Sequence, residues 1–142
     1  MTLTTESTSE NHIIEAYRVP DHARMAALPR HFGARMMILE NKVYDLMREF
    51  VASYQGGFWE LYELSNQGFY MAPQMPSVRF SVPSNAYDGE MSADAAGITV
   101  CLFAFSFLSF ERGGEVFGRH FHRLRDFALN HREAGQIFAA ID

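Results

Sequence analysis

The chain of 142 residues holds one cysteine, Cys101, and one lysine, Lys42. A lone cysteine excludes an internal disulfide and any zinc site built on several thiolates, so nothing here requires an oxidising compartment and a cytoplasmic setting is expected. Positive charge is also scarce: the formal net charge is −5, and arginine supplies almost all of the basic side. Such a field repels a phosphate backbone and argues against non-specific DNA binding. Acid is not dense either. An imitation of duplex DNA needs roughly one charge per 1.7 Å of axis, and seventeen acids offset by twelve bases do not supply it. Met1–Asn11 lacks the basic and apolar segments of a secretory signal, and none is expected. The longest apolar run, 95–110, contains Gly97, Thr99, Ser106 and Ser109 and falls short of the ~20 residues that span a bilayer. A buried helix is expected there, and no membrane partner.

What the chain does have is grease. Hydrophobic residues make up 48%, with thirteen Phe and eight Met, enough to fill one core at a length typical of a single domain. Residues 1–12 are polar and are expected to form a flexible tail, and 13–142 a single domain.

From Asn41 the residues Val43, Leu46, Met47, Phe50, Val51 and Tyr54 repeat with helical spacing, and Gln55-Gly56-Gly57 is expected to stop that helix. The aromatic run Phe58–Leu64 reads as a strand, Ser65–Gly68 as a hairpin connection and Phe69–Ala72 as the return strand. Ser77–Val82, bracketed by Pro76 and Pro83, reads as a third strand. Connections this short predict an antiparallel meander. Ser92 caps the helix that follows, and Glu111-Arg112-Gly113-Gly114 breaks it. A further helix carries Val116, Phe117, His120, Phe121, Leu124 and Phe127 on one stripe, and an amphipathic segment runs from Glu133 to Ile141. The fold class is therefore α+β: one compact domain with a small antiparallel sheet of about three or four strands surrounded by several α-helices.

Few residues offer chemistry. His120 and His122 sit about 200° apart around a helix and cannot share one metal, and His131 is too distant in sequence to complete a site. His120, on the apolar stripe, reads as a hydrogen-bonded core or boundary residue. Cys101 reads as a small buried hydrophobe with no base that the sequence can name. Gly56-Gly57 lacks the lysine and Ser/Thr of a phosphate loop. Arg119, Arg123, Arg125 and Arg132 could meet an acidic partner, but lie around a helix among acids and read as a solvated face. Ser84–Asp94 concentrates Asp88, Glu90 and Asp94 before a helix start. It reads as a turn plus cap, or as an acidic contact surface or divalent-ion loop, although its spacing does not match an EF-hand. No cofactor, metal or catalytic residue is expected.

Three stretches carry a resemblance: Leu28–Gly33, Tyr54–Asn66 followed closely by Gly68–Pro73, and Gly89–Ile98. In order and spacing they resemble the ArdB/KlcA antirestriction family over roughly residues 28–130. The resemblance implies an antiparallel sheet with surrounding helices, a non-enzymatic inhibitor, and relief of type I restriction of incoming mobile-element DNA. The implied partner is the type I restriction-modification complex, engaged directly or indirectly. Asp88, Glu90 and Asp94, with Asn66 and Gln67 at the hairpin tip, are the candidate contact residues. A DNA-binding regulator that occludes the enzyme and a small hydrolase remain the alternatives.

Overall fold

The structure is a computed structural model that describes residues 13–142; the expected tail, 1–12, lies outside the described residues. Strand β1 (Ala16–Arg18) pairs antiparallel with β2 (Trp59–Leu64), and β2 pairs antiparallel with β3 (Phe69–Pro73). Tyr62 lies opposite Tyr70, and their rings stack at 4.7 Å. The β2–β3 connection turns at Gln67, whose φ of 71° is left-handed. Asn66 stabilises it by accepting the Gly68 N–H on its side-chain oxygen at 3.0 Å.

The third predicted strand does not extend this sheet. β4 (Val78–Val82) pairs instead with β5 (Tyr87–Met91), making a separate two-stranded sheet in which Phe80 faces Gly89. The reason lies at the outer edge of β3. The Leu61 carbonyl accepts from Val19 N at 2.8 Å, so Leu61 directs its backbone groups toward the β1 side. Met71, opposite Leu61, must then point its carbonyl away from β2. Helix α3 (Ala93–Ser109) already occupies that edge: the Cys101 thiol donates to the Met71 carbonyl at 3.7 Å. A Cβ on Gly97 would come within 2.4 Å of the same oxygen. Helix, not strand, closes the edge, which protects it from pairing with another chain.

Helix α1 (Arg24–Phe32) leads into α2 (Met36–Phe50). α2 starts earlier and stops earlier than the apolar spacing predicts. Val51 is extended, so Val51 and Tyr54 follow the helix, although both remain buried. Gly56 and Gly57, at φ 92° and 124°, shape the link to β2 rather than stop a helix. Tyr54 holds this link by accepting from the Trp59 indole N–H at 2.9 Å.

α3 is the central element. Every residue from Ala95 to Leu102 is buried, because β3, α2, α4 (Glu115–Ala128) and α5 (Ala134–Ile141) all pack against it. No helix among the described residues is long and apolar enough to cross a membrane. Phe32, Phe69, Phe105 and Phe117 join the layers in one aromatic cluster.

Replacing Gly97 by Ala forces a methyl group against the backbone of Met71 and Ala72. The gain in helix propensity is smaller than the overpacking cost, so Gly97→Ala should destabilise the protein by about 1–3 kcal/mol, read as a lower urea midpoint. A midpoint at or above the parent's would contradict the close approach.

Candidate functional site

A network of polar side chains converges at the start of α3. Ser92 caps the helix by accepting the Ala95 N–H at 3.0 Å. Its own backbone N–H and hydroxyl both donate to the Glu133 carboxylate, the first at 2.9 Å. Two residues on, Asp94 accepts from the Tyr70 hydroxyl at 2.7 Å and from His131 Nε2 at 2.9 Å. The second nitrogen of His131 accepts the Glu133 N–H at 3.0 Å, which leaves the proton of the neutral ring on Nε2. Residues from β3, α3 and the α4–α5 connection thus form one closed network.

Electrostatics agree with this reading. Burial alone would raise the Asp94 pKa, but the hydrogen bonds from His131 and Tyr70, with the nearby Arg132 charge, outweigh it and hold the carboxyl below its usual range. Glu133 behaves alike: burial opposes ionisation, and the Ser92 hydroxyl and N–H overcome it. Burial, followed by the Asp94 charge and hydrogen bond, pushes the Tyr70 hydroxyl up and keeps it neutral.

For chemistry the arrangement offers little. Both His131 nitrogens are engaged, so the ring has no free lone pair with which to activate a nucleophile. Glu133, with a depressed pKa, is a poor base for the Ser92 hydroxyl. Burial pushes the Cys101 thiol up to about 12, the state of an unreactive structural cysteine. The geometry is that of a tether fastening the α3 N-terminus to the chain forty residues later.

The candidate contact residues separate into three environments. Asp94 lies inside the tether. Asp88 and Glu90 are exposed on β5, so their segment is a strand rather than an acidic loop. Tyr87, Gly89 and Met91 turn inward between them, and Asp88 receives both Arg79 Nε at 3.0 Å and Nη2 at 2.9 Å across the sheet. Those Arg79 hydrogen bonds hold the Asp88 carboxyl below its ordinary range. Glycine in the middle inward position hid the alternation; a Cβ there would come within 2.7 Å of the Tyr87 hydroxyl oxygen. At the hairpin tip, Asn66 donates to the Arg123 carbonyl at 3.0 Å and is committed to holding β2–β3 against α4, whereas Gln67 is exposed.

The histidines also differ from expectation in part. His120 is 2% exposed, but its Nδ1 has no hydrogen-bond partner, which corrects the expectation of a hydrogen-bonded residue. The Phe32, Phe105 and His31 rings pack against it and none of them bonds this nitrogen. His122 is exposed, facing away from His120. His131, Tyr70 and Glu133 are the residues that sequence reasoning missed. The Ser92 cap, with Asp94 two residues on, was the visible sign that polar order would concentrate there.

Because Asp94 ionises more readily when folded, its stabilising contribution is complete above its ordinary value of 3.8 and is lost as the pH falls through the depressed one. Asp94→Ala should cost about 1–3 kcal/mol at pH 7, toward the lower figure because the carboxylate is 39% exposed. It should also weaken the decline in stability below pH 4. Urea unfolding of parent and variant across this range measures both, and parallel curves would remove Asp94 from the acid response.

Comparison with known proteins places the fold and the sequence together. The sequence signature described as antirestriction protein matches residues 52–142. An antirestriction protein KlcA of Escherichia coli is 42% identical over 137 residues, covering 91% of this chain and 94% of the relative. A second KlcA from the same species is 38% identical over 140 residues, covering 94% and 99%. A solved structure reported for the KlcA and ArdB proteins, with a novel fold and antirestriction activity against type I DNA restriction systems in vivo but not in vitro, superposes with a TM-score of 0.84 at 37% identity, covering all of both chains. The chain belongs to the antirestriction protein family.

Proposed function

We propose that this protein relieves type I restriction of incoming DNA in the cytoplasm, and that it does so as a non-enzymatic inhibitor through protein contacts rather than by occupying DNA. The observation that carries the reading is the full-length likeness to the solved KlcA and ArdB proteins, whose activity is against type I systems in vivo but not in vitro. Activity confined to the cell supports inhibition that depends on a further cellular component, so the restriction complex is engaged directly or through that component. A net charge of −5 supports protein contact over DNA occupancy.

The contact surface in this reading is the outward face of β5, with Asp88 and Glu90, joined by Gln67 at the hairpin tip. Asp94 and Asn66 act behind it: their side chains are committed within the protein and fix the strands that present the others.

The test is the plating efficiency of unmodified phage on cells carrying a type I system, with and without the protein, beside a matched type II strain. A selective rise on the type I strain is expected. Asp88→Ala with Glu90→Ala should reduce that rise by about tenfold or more while the protein stays folded, since both side chains are exposed and the Arg79–Asp88 pair that is lost contributes about 1 kcal/mol or less. Cys101→Ala should retain it. Equal relief on both strains would reject the proposed selectivity, undiminished relief in the double variant would move the contact elsewhere, and loss in a folded Cys101→Ala protein would favour the hydrolase.

A further inference from the structure

A cleft of about 430 Å³ opens between α1, the β2–β3 hairpin and α4. Its polar lining is strongly basic for an acidic protein: Arg30, His31, Arg119, His120 and Arg123, with neutral Gln67, surround a single carboxylate, Glu63. Glu63 is already committed. It accepts from Arg30 and, at 2.8 Å, from His31 Nε2. Arg119 and Arg123 have no ion-pair partner among the described residues.

These two arginines stand four residues apart on α4, on one face and one turn apart, where like charges repel. The Arg123 backbone is held in place, because its carbonyl accepts from the Asn66 amide at 3.0 Å. Beside them His120 lines the cleft, 2% exposed and with Nδ1 unpartnered. Burial, then His31 and the two guanidiniums, lowers its imidazole pKa to about 3, so positive potential reaches the ring. Two cations without an ion-pair partner and a buried nitrogen without a hydrogen-bond partner in one cleft are groups that an anion would satisfy.

We propose that this cleft binds a phosphate monoester of nucleotide size, with its phosphate held by Arg119 and Arg123. Charge selects the class. With Arg30 neutralised by Glu63, two positive charges remain; a phosphomonoester at neutral pH carries about −1.5 to −2 and matches them, whereas a single carboxylate leaves one unpaired. Planar guanidiniums bind phosphate oxygens in bidentate fashion. Volume selects the size, since the cleft exceeds what one phosphate fills and Leu64 and Val116 give it apolar wall.

Isothermal titration of the purified full chain with adenosine 5′-monophosphate, adenosine, inorganic phosphate and a hexaglutamate peptide tests this, with histidine ring signals followed by NMR. Saturable binding of the monophosphate is expected, with a rise in the His120 pKa, weaker competitive binding of inorganic phosphate, and none of adenosine. Arg119→Gln, at an exposed position that leaves the fold intact, should weaken the monophosphate at least about tenfold, and Arg119→Gln with Arg123→Gln further. The proposal is overturned by no monophosphate binding up to about 10 mM, by adenosine or inorganic phosphate binding as tightly, by preference for hexaglutamate, or by unchanged affinity in the folded Arg119→Gln protein. None of these results bears on relief of restriction, so the two readings stand or fall separately.

Discussion

A helix laid directly on a strand's backbone is the constraint around which this protein is built. Gly97 lets α3 approach the Met71 carbonyl at a distance no side chain would allow. Once there, the helix takes the place that a further strand would otherwise fill. The split into two sheets, the burial of α3 on nearly all sides and the packing of α2, α4 and α5 around it follow from that approach. A long apolar helix is tolerable in such a small protein because it has neighbours on most sides rather than one partner face.

Polar chemistry is correspondingly displaced to the helix ends and the rim. With no room for charge along α3, the carboxylates near it serve as internal acceptors: Glu133 for Ser92, and Asp94 for Tyr70 and His131. These commitments separate residues that look alike in sequence. Asp88, Glu90 and Asp94 lie within seven positions of one another, yet one is paired across a sheet, one is exposed and one is locked into a network. Proximity in sequence is a poor guide to shared duty where a strand ends and a helix begins.

Much of the architecture was legible because it rests on local periodicity. The stripe Val116, Phe117, His120, Phe121, Leu124 and Phe127 does lie on α4, and the Ser92 cap and the β2–β3 hairpin occur where their residues predict. What escaped rests on distant partners or on missing side chains. β1 is three residues long and offers no pattern to read. β5 hides behind Gly89, and the place of β4 depends on a helix that the chain has yet to make. The network joins Tyr70 and His131 to Asp94 across 24 and 37 positions, and the basic cleft draws on residues from three separate elements. Neither can be composed from the local spacing of residues, although Arg30, His31 and Asn66 fall within stretches that carry the family likeness.

The tether between Ser92 and Glu133 also has a consequence in time. A chain emerging from the ribosome exposes the α3 start well before residues 131–133, which fasten it, are available. Until then the long apolar helix α3 has an unsecured end. Consolidation of the α3 start thus waits for those later residues, and a nascent-chain chaperone has its opportunity while the apolar segment between Ser92 and Ser109 lacks the α4 and α5 residues that cover it.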